Sequence, residues 1–248
     1  MYLLTIKHII TIIMERVHSG IEGLDEKIAG GYPKGRSILI IGTTGSAKTI
    51  LGVSFIHKAC QEGRKSLIIA TGELPEDIIA QAESVGMSFE KFKTDGILAI
   101  EKIYEERTTH AKEILAYGMD DSDKLQSNII GLLDRIPVDI DSVLIDNIGV
   151  FTLNMSPNEF RTQIDSLVAG LTKRNITAVL IMDISADSRT ENIASYSVYG
   201  VLKTSIKDNP FTGSRERLLE VLKIRNTKIS LDPMRFEITS KGIELMKK

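Results

Sequence analysis

The sequence predicts an α/β fold, in which a mainly parallel central sheet is flanked by helices and extended by antiparallel strands near the C-terminus. Through most of the chain, short β-branched runs alternate with segments of helical period, which is typical of parallel sheets. The last β-rich runs follow one another without intervening helices, so we expect them to extend the sheet as hairpins. The 248 residues show no break in composition, and one domain is expected.

Residues 1–13 are apolar, but they lack the features of a membrane segment. The run is too short to span a bilayer and contains Lys7 and His8. It is followed by charged residues, where a signal peptide would have a cleavage site of small residues. We treat 1–13 as an N-terminal apolar extension and 14–248 as the domain. Our hypothesis is that translation starts at Met14, so that 1–13 is a wrongly assigned start; the alternative is an additional ordered strand.

The charge balance excludes a strong overall attraction to nucleic acid or to anionic membranes. The chain has 31 basic and 33 acidic residues, a net charge of −2. Any contact with nucleic acid would have to be local.

The single cysteine, Cys60, cannot form an intrachain disulfide, which fits a reducing compartment. We therefore expect a cytoplasmic protein without membrane association.

The first half of the chain alternates predicted strands with predicted helices. Buried strands are predicted at residues 37–41, 66–70 and 97–100. Residues 48–61 have an apolar helical face and stop near Gly63, and a second helix begins at Pro75 and stops at Gly86. Residues 101–127 are highly charged and weakly periodic, and they receive no assignment.

The second half begins with an apolar run at residues 142–145 that ends in Asp146. Ser156 and Glu159 have the spacing of a capping box with proline at the first helical position, which predicts a helix from there. The remaining β-rich runs are predicted strands at residues 178–182, 201–206, 218–224 and 235–239.

A glycine-rich loop lies between the first predicted strand and its helix, and it matches the pattern G-x-x-x-x-G-K-[ST]. In this context, backbone amides and the helix dipole bind a β-phosphate, the lysine reaches the β/γ oxygens, and the last hydroxyl binds Mg²⁺. We call residues 42–49 the phosphate loop. Its candidate nucleotide-binding residues are Gly42, Thr43, Thr44, Gly45, Ser46, Ala47, Lys48 and Thr49.

Two carboxylates are candidates for the same site. Asp146 follows an apolar strand, at the end where α/β proteins bind ligands, and we expect it to hold Mg²⁺ together with Thr49. Glu73 follows the strand 66–70, from where it could activate the water that attacks the γ-phosphate. A glutamate at a helix start is also favoured by the helix dipole, and this structural role is the alternative.

These motifs resemble the KaiC-like branch of the RecA superfamily of ATPases, over residues 16–244. Residues 19–35 resemble the family's N-terminal motif, residues 73–76 its segment after the second strand, and residues 221–227 and 236–243 its closing strands. The resemblance implies a RecA-like P-loop core, ATP as ligand, and a homo-oligomer, either a ring such as a hexamer or a filament, with the nucleotide at the subunit boundary.

Three departures from the family pattern concern the site. Relatives usually carry two adjacent glutamates where this chain has Gly72 and Glu73, so hydrolysis is expected to be slow. Met182 and Asp183 stand where a small polar residue and a glutamate are commoner in the family, which weakens a γ-phosphate sensor there. Ala47 replaces a glycine, and its Cβ either requires a negative φ or crowds the loop.

Lys223 and Arg225 alternate on one face of a predicted strand. Their simpler interpretation is solvated charge on an exposed strand. The surrounding segment resembles the part of the family that reaches the γ-phosphate held by the neighbouring subunit, which implies that these cations act in trans as catalytic residues.

Three functions are consistent with these features. The first is a slow, Mg²⁺-dependent ATPase of KaiC type whose nucleotide state regulates a protein partner. The second is a RadA-paralogue-like recombination or repair ATPase that binds DNA through the loops 151–158 and 184–199. These loops are poor in basic residues, so DNA binding is not favoured. The third is a nucleotide-binding module with little turnover.

Overall fold

The computed structural model describes residues 14–103, 129–184 and 188–246. The N-terminal extension lies outside the described residues, so the proposed start at Met14 stays a prediction. Most of the segment 101–127, which received no assignment from the sequence, also lies outside them.

One large sheet organises the described part of the chain, with the strand order β11-β10-β9-β8-β3-β7-β6-β4-β5. Its strands from β8 to β5 are parallel, and β9, β10 and β11 are antiparallel to their neighbours. The strands are β3 (Ser37–Gly42), β4 (Ser66–Ala70), β5 (Leu98–Lys102), β6 (Ser142–Asp146), β7 (Thr177–Asp183), β8 (Gly200–Asp208), β9 (Arg215–Ile224), β10 (Met234–Thr239) and β11 (Gly242–Leu245).

This architecture confirms the predicted fold class. The closing strands extend the sheet as expected: β8 lies parallel to β3, and β9, β10 and β11 follow it in antiparallel pairs. The strand β11 was not predicted. Two further strands, β1 (Arg16–Val17) and β2 (Tyr32–Pro33), form a separate small sheet, and a two-residue strand is too short to give a periodic signal.

Helices cover both faces of the sheet, which explains why its parallel strands are uninterrupted apolar runs. Because successive side chains of a strand point to opposite faces, Ile38 and Ile40 pack into one core, whereas Leu39 and Ile41 pack into the other. The helices are α1 (Leu24–Lys27), α2 (Lys48–Gln61), α3 (Pro75–Ser84), α4 (Glu90–Thr94), α5 (Leu132–Arg135), α6 (Pro157–Lys173) and α7 (Ser188–Ser197), with a 3₁₀ helix at Ile148–Asn154.

The predicted capping box is present at the start of α6. The Ser156 hydroxyl accepts from the Glu159 amide at 3.3 Å, and the Glu159 carboxylate accepts from the Ser156 amide at 3.4 Å.

The two segments expected to be loops are mostly helical. Residues 151–158 contain the end of the 3₁₀ helix and the start of α6, and residues 184–199 contain α7. No helix in the described ranges is both long and apolar enough to cross a membrane.

Candidate functional site

The phosphate loop connects the end of β3 to the start of α2, which is the context that its motif requires. A Cβ on Gly42 would lie 2.2 Å from Thr204 Oγ1 and 2.7 Å from Ser46 Oγ, so a side chain has no room there. Gly45 has a φ of +79°, in the left-handed region that favours glycine. The fold therefore needs glycine at both positions.

The Thr43 carbonyl oxygen closes the loop by accepting three hydrogen bonds. The donors are the Ser46 amide at 3.2 Å, the Ser46 hydroxyl at 2.6 Å and the Lys48 ammonium at 2.9 Å. The Ser46 hydroxyl also lies 2.7 Å from Thr204 Oγ1, which ties the loop to β8. The loop is thus held in shape by its own contacts.

Ala47 is the N-cap of α2 and has a φ of 72° and a ψ of 27°. Of the two alternatives considered from the sequence, a negative φ is therefore wrong. A non-glycine residue in the left-handed region costs about 1 kcal/mol. Ala47 supplies no side-chain cap, so the amides of the first turn of α2 are available to an anion at the positive end of the helix dipole.

Lys48 forms an ion pair that the sequence did not predict. Its Nζ lies 2.6 Å from Asp183 Oδ1, and its side chain is 8% exposed, against 50% for Asp183. Asn147 Nδ2 donates to the other Asp183 oxygen at 2.6 Å. Asp183 pairs with Gly42 because β7 lies beside β3 in the sheet. The sequence alone does not show that these two strands are neighbours, so the contact could not be predicted.

Asp146 ends β6 at the same edge of the sheet and is buried. Burial raises the pKa of its carboxyl to about 6; a hydrogen bond with Thr49 and the charge of Lys48 oppose this shift, and the negative charges of Glu73 and Asp183 add to it. The structure thus brings together the predicted residues Lys48, Thr49 and Asp146.

The pair Thr49 and Asp146 fits a magnesium ion. Asp146 Oδ2 is buried and has no hydrogen-bond partner among the described residues, so it is free to ligate a cation. Mg²⁺ prefers hard oxygen ligands and usually takes one or two protein carboxylates together with substrate phosphates. The described ranges contain no cluster of three or more acidic, histidine or cysteine side chains that could hold a metal ion.

Glu73 lies in the exposed loop after β4, near enough to Asp146 for its charge to raise that pKa. Gln81 of α3 donates a hydrogen bond from its side-chain amide to the Glu73 carboxylate. Lys102 of β5 donates to the Glu73 main-chain oxygen at 2.6 Å. These contacts hold the loop, and neither Gln81 nor Lys102 was identified from the sequence, because α3 and β5 meet Glu73 only in the fold.

Lys223 and Arg225 lie together but away from the phosphate loop of their own chain. Both donate to the Tyr196 carbonyl oxygen near the end of α7, at 3.5 Å and 2.8 Å respectively. Partial burial, and then the charge of Arg225, lower the pKa of Lys223 to about 8.

The distance follows from the register of β8. Gly200 pairs with Ile224, next to Arg225, whereas Thr204 pairs with Gly42 at the start of the loop. Four residues of strand separate these pairs by about 13 Å. The two cations are therefore displaced along β8 from the residue that pairs with the start of the phosphate loop.

The glycine-rich loop between β3 and α2, the acidic end of β6 and the mainly parallel sheet define the class: this is a P-loop protein with a RecA-like fold. The family model described as "ATPase: KaiC" matches residues 17–248, and the chain belongs to this family. The resemblance stated from the sequence is confirmed.

Known proteins similar to this chain agree with the assignment. A UPF0273 protein from Methanopyrus kandleri is 28% identical over 94% of this chain and 92% of its own length. The circadian clock oscillator protein KaiC of Thermostichus vulcanus is also 28% identical, but the chain covers 42% of it. The crystal structure of a KaiC-like protein from Pyrococcus horikoshii superposes with a TM-score of 0.74, at 24% identity and with 94% of this chain and 100% of that one covered, and supports the fold.

Proposed function

We propose that this protein is a slow, Mg²⁺-dependent ATPase that works as a homo-oligomer, with each nucleotide bound between two subunits. The observation that carries the proposal is the convergence of Lys48, Thr49 and the unpaired Asp146 Oδ2 beside the uncapped start of α2. An ammonium, a hydroxyl, a carboxylate and free helix amides are the groups that bind the phosphates of Mg-ATP.

Each part of the phosphate loop has a role in this proposal. The amides of residues 42–49 bind the β-phosphate, and Lys48 contacts the β and γ oxygens. Thr49 and Asp146 hold Mg²⁺, which would neutralise charge on the phosphates. Thr43, Thr44 and Gly45 are exposed, so a nucleotide can approach the loop.

Glu73 is proposed to orient or deprotonate the attacking water. It is exposed at the same edge as Asp146, and Gln81 fixes its carboxylate. Since this chain has one carboxylate where relatives usually have two, turnover is proposed to be slow. A side chain held by Gln81 would need to reorient toward the water before it acts.

The oligomer follows from Lys223 and Arg225. Arg225 follows the partner of Gly200, which lies about 13 Å along β8 from the residue that pairs with Gly42, and this separation supports a site in another subunit. We therefore propose that each cation acts in trans in a ring, such as a hexamer, or in a filament. A cation positioned in this way stabilises charge on the transferring phosphoryl group.

The partner is proposed to be a protein. Four relatives are named circadian clock oscillator protein, and this chain covers less than half of each of them. The proposal extends a regulatory use of the nucleotide state to this chain. DNA binding is the second candidate. The described part of the segment 184–199 has one basic residue, Arg189, which is few for a surface that binds DNA phosphates. A single-stranded DNA titration at defined salt separates the two.

Phosphate release from ATP tests the proposed activity. With purified protein, release should be slow, saturable and abolished by EDTA, and light scattering with and without ATP should show an oligomer. Tight binding without release would reduce the function to that of a nucleotide-binding module. Absence of nucleotide binding would contradict the proposal.

A further inference from the structure

A fixed negative charge lies inside the proposed phosphate site. The Asp183 carboxylate is 2.6 Å from the Lys48 ammonium, and Lys48 is almost fully buried against it. Lys48 also donates to the Thr43 carbonyl oxygen at 2.9 Å. The Lys48 ammonium, which is proposed to bind the β and γ oxygens, is therefore already paired with a carboxylate of its own chain.

The fold holds Asp183 in this place. Asp183 pairs with Gly42 in the sheet, and the amide of the next residue, Ile184, donates to the Gly42 oxygen at 3.1 Å. Asn147 binds the second carboxylate oxygen at 2.6 Å. The strand pairing and the hydrogen bond from Asn147 thus hold the Asp183 carboxylate in position beside Lys48.

This charge also acts on the rest of the site. Together with Glu73, Asp183 helps to raise the pKa of Asp146, which shows that the carboxylates repel one another. A bound nucleotide adds its own phosphate charges to this group. ATP adds more charge than ADP, and the additional charge is on the γ-phosphate. In the proposed site the γ-phosphate binds the Lys48 ammonium, which is the group that Asp183 contacts.

We infer that Asp183 determines nucleotide specificity: it competes with the γ-phosphate for Lys48 and so lowers the preference of the site for ATP over ADP. This inference rests on the proposed function, because it assumes that the phosphate loop binds nucleotide. Two unit charges about 4 Å apart near a protein surface interact strongly enough to change affinity tenfold or more.

Binding constants for ATP and ADP in wild type and Asp183→Asn test the inference. Asparagine keeps the size and one acceptor oxygen for Lys48, but it has no charge. In the presence of Mg²⁺, the affinity for ATP should rise roughly tenfold, and that for ADP should rise roughly threefold or less. The ratio of the two dissociation constants should therefore shift toward ATP by about threefold or more, and by less at high salt.

The matched control is Asp139→Asn. Asp139 also pairs with a lysine, since its carboxylate lies 2.5 Å from Lys65 Nζ, but it precedes β6 at the opposite edge of the sheet. This variant removes the same charge without touching the site and should leave the ratio unchanged. If Asp183→Asn does not fold by circular dichroism, Asp183→Ser serves as the second uncharged variant.

Three outcomes overturn the inference. An unchanged ratio would show that Asp183 only supports Lys48. A loss of ATP affinity confined to Mg²⁺-containing buffer would make Asp183 a metal ligand. If the wild type binds neither nucleotide, the proposed function fails as well. If the wild type binds ATP and Lys48→Ala does not, the proposed site stands. An unchanged ratio of the ATP and ADP dissociation constants in Asp183→Asn would then refute this inference alone.

Discussion

The Thr49 hydroxyl, where α2 begins, lies close enough to the Asp146 carboxyl at the end of β6 to oppose the rise of its pKa. Thr49 belongs to the phosphate loop and Asp146 comes almost a hundred residues later, so the sheet is what brings the two oxygens together. Asp146 Oδ2 has no hydrogen-bond partner among the described residues. This pair is the proposed magnesium site.

Replacing Asp146 by asparagine should weaken the dependence of nucleotide binding on Mg²⁺. The change keeps the shape of the side chain and removes the charge that faces the metal, so nucleotide affinity in EDTA should be nearly unchanged. Calorimetric titrations at several Mg²⁺ concentrations measure the effect. Asp165→Asn, an exposed carboxylate on α6, is the control, and a Mg²⁺ titration equal to that of wild type would contradict the assignment.

Asp146 also predicts a pH dependence of stability in metal-free protein. Its pKa is raised to about 6 in the folded chain from 3.8, so the folded state binds more protons than the unfolded state between these values. The contribution of Asp146 to the free energy of unfolding should therefore fall as pH rises from 4 to 6, by an amount on the order of 2–3 kcal/mol. Urea unfolding of wild type and Asp146→Asn in EDTA measures this contribution as the difference between their pH profiles, and profiles of equal slope would contradict it.

Ala47→Gly should improve the loop. Glycine adopts the observed φ of 72° without strain, so we expect a gain in stability of up to about 1 kcal/mol and a rise in affinity or turnover. Thermal unfolding and ATP titration measure the two effects. Ala59→Gly, in the interior of the same helix, should instead destabilise the protein. A fall in both affinity and turnover for Ala47→Gly would show that the methyl group is needed.

Arg225→Ala should leave nucleotide binding nearly intact and remove turnover, by a factor on the order of 10³–10⁵ if it acts as arginine fingers do. Lys48→Ala should be inactive for a different reason. Mixing the two variants under conditions of subunit exchange creates interfaces with an intact loop and an intact finger, and activity should partly return. Arg235→Ala, on β10, should keep its activity. Demonstrated exchange without recovery would contradict action in trans.

The sequence was sufficient for the parts of the site that depend on local pattern. The helix Lys48–Gln61 and the strand Ser66–Ala70 have the predicted bounds, because a glycine-rich loop and a β-branched run are strong local signals. The capping box at Ser156 was found for the same reason. Asp146 was selected because it directly follows a buried strand.

Features that depend on strand order or on weak periodicity were missed. The Lys48 and Asp183 ion pair requires β7 to lie beside β3, and the sequence does not state which strands are neighbours. Helix α7 was expected to be a loop, since few of its residues are apolar and only Thr190 and Ala194 are buried. The Gln81 contact with Glu73 likewise depends on the packing of α3.

Titration of ATP into the purified protein with Mg²⁺, in parallel with Lys48→Ala, tests the central claim most directly. Lys48 is the one side-chain cation that the motif directs at the β and γ oxygens, so wild type should bind saturably and Lys48→Ala should show no measurable binding. Circular dichroism confirms that the variant is folded. Equal ATP affinity in a folded Lys48→Ala would contradict the account, because the nucleotide would then bind elsewhere than in the phosphate loop.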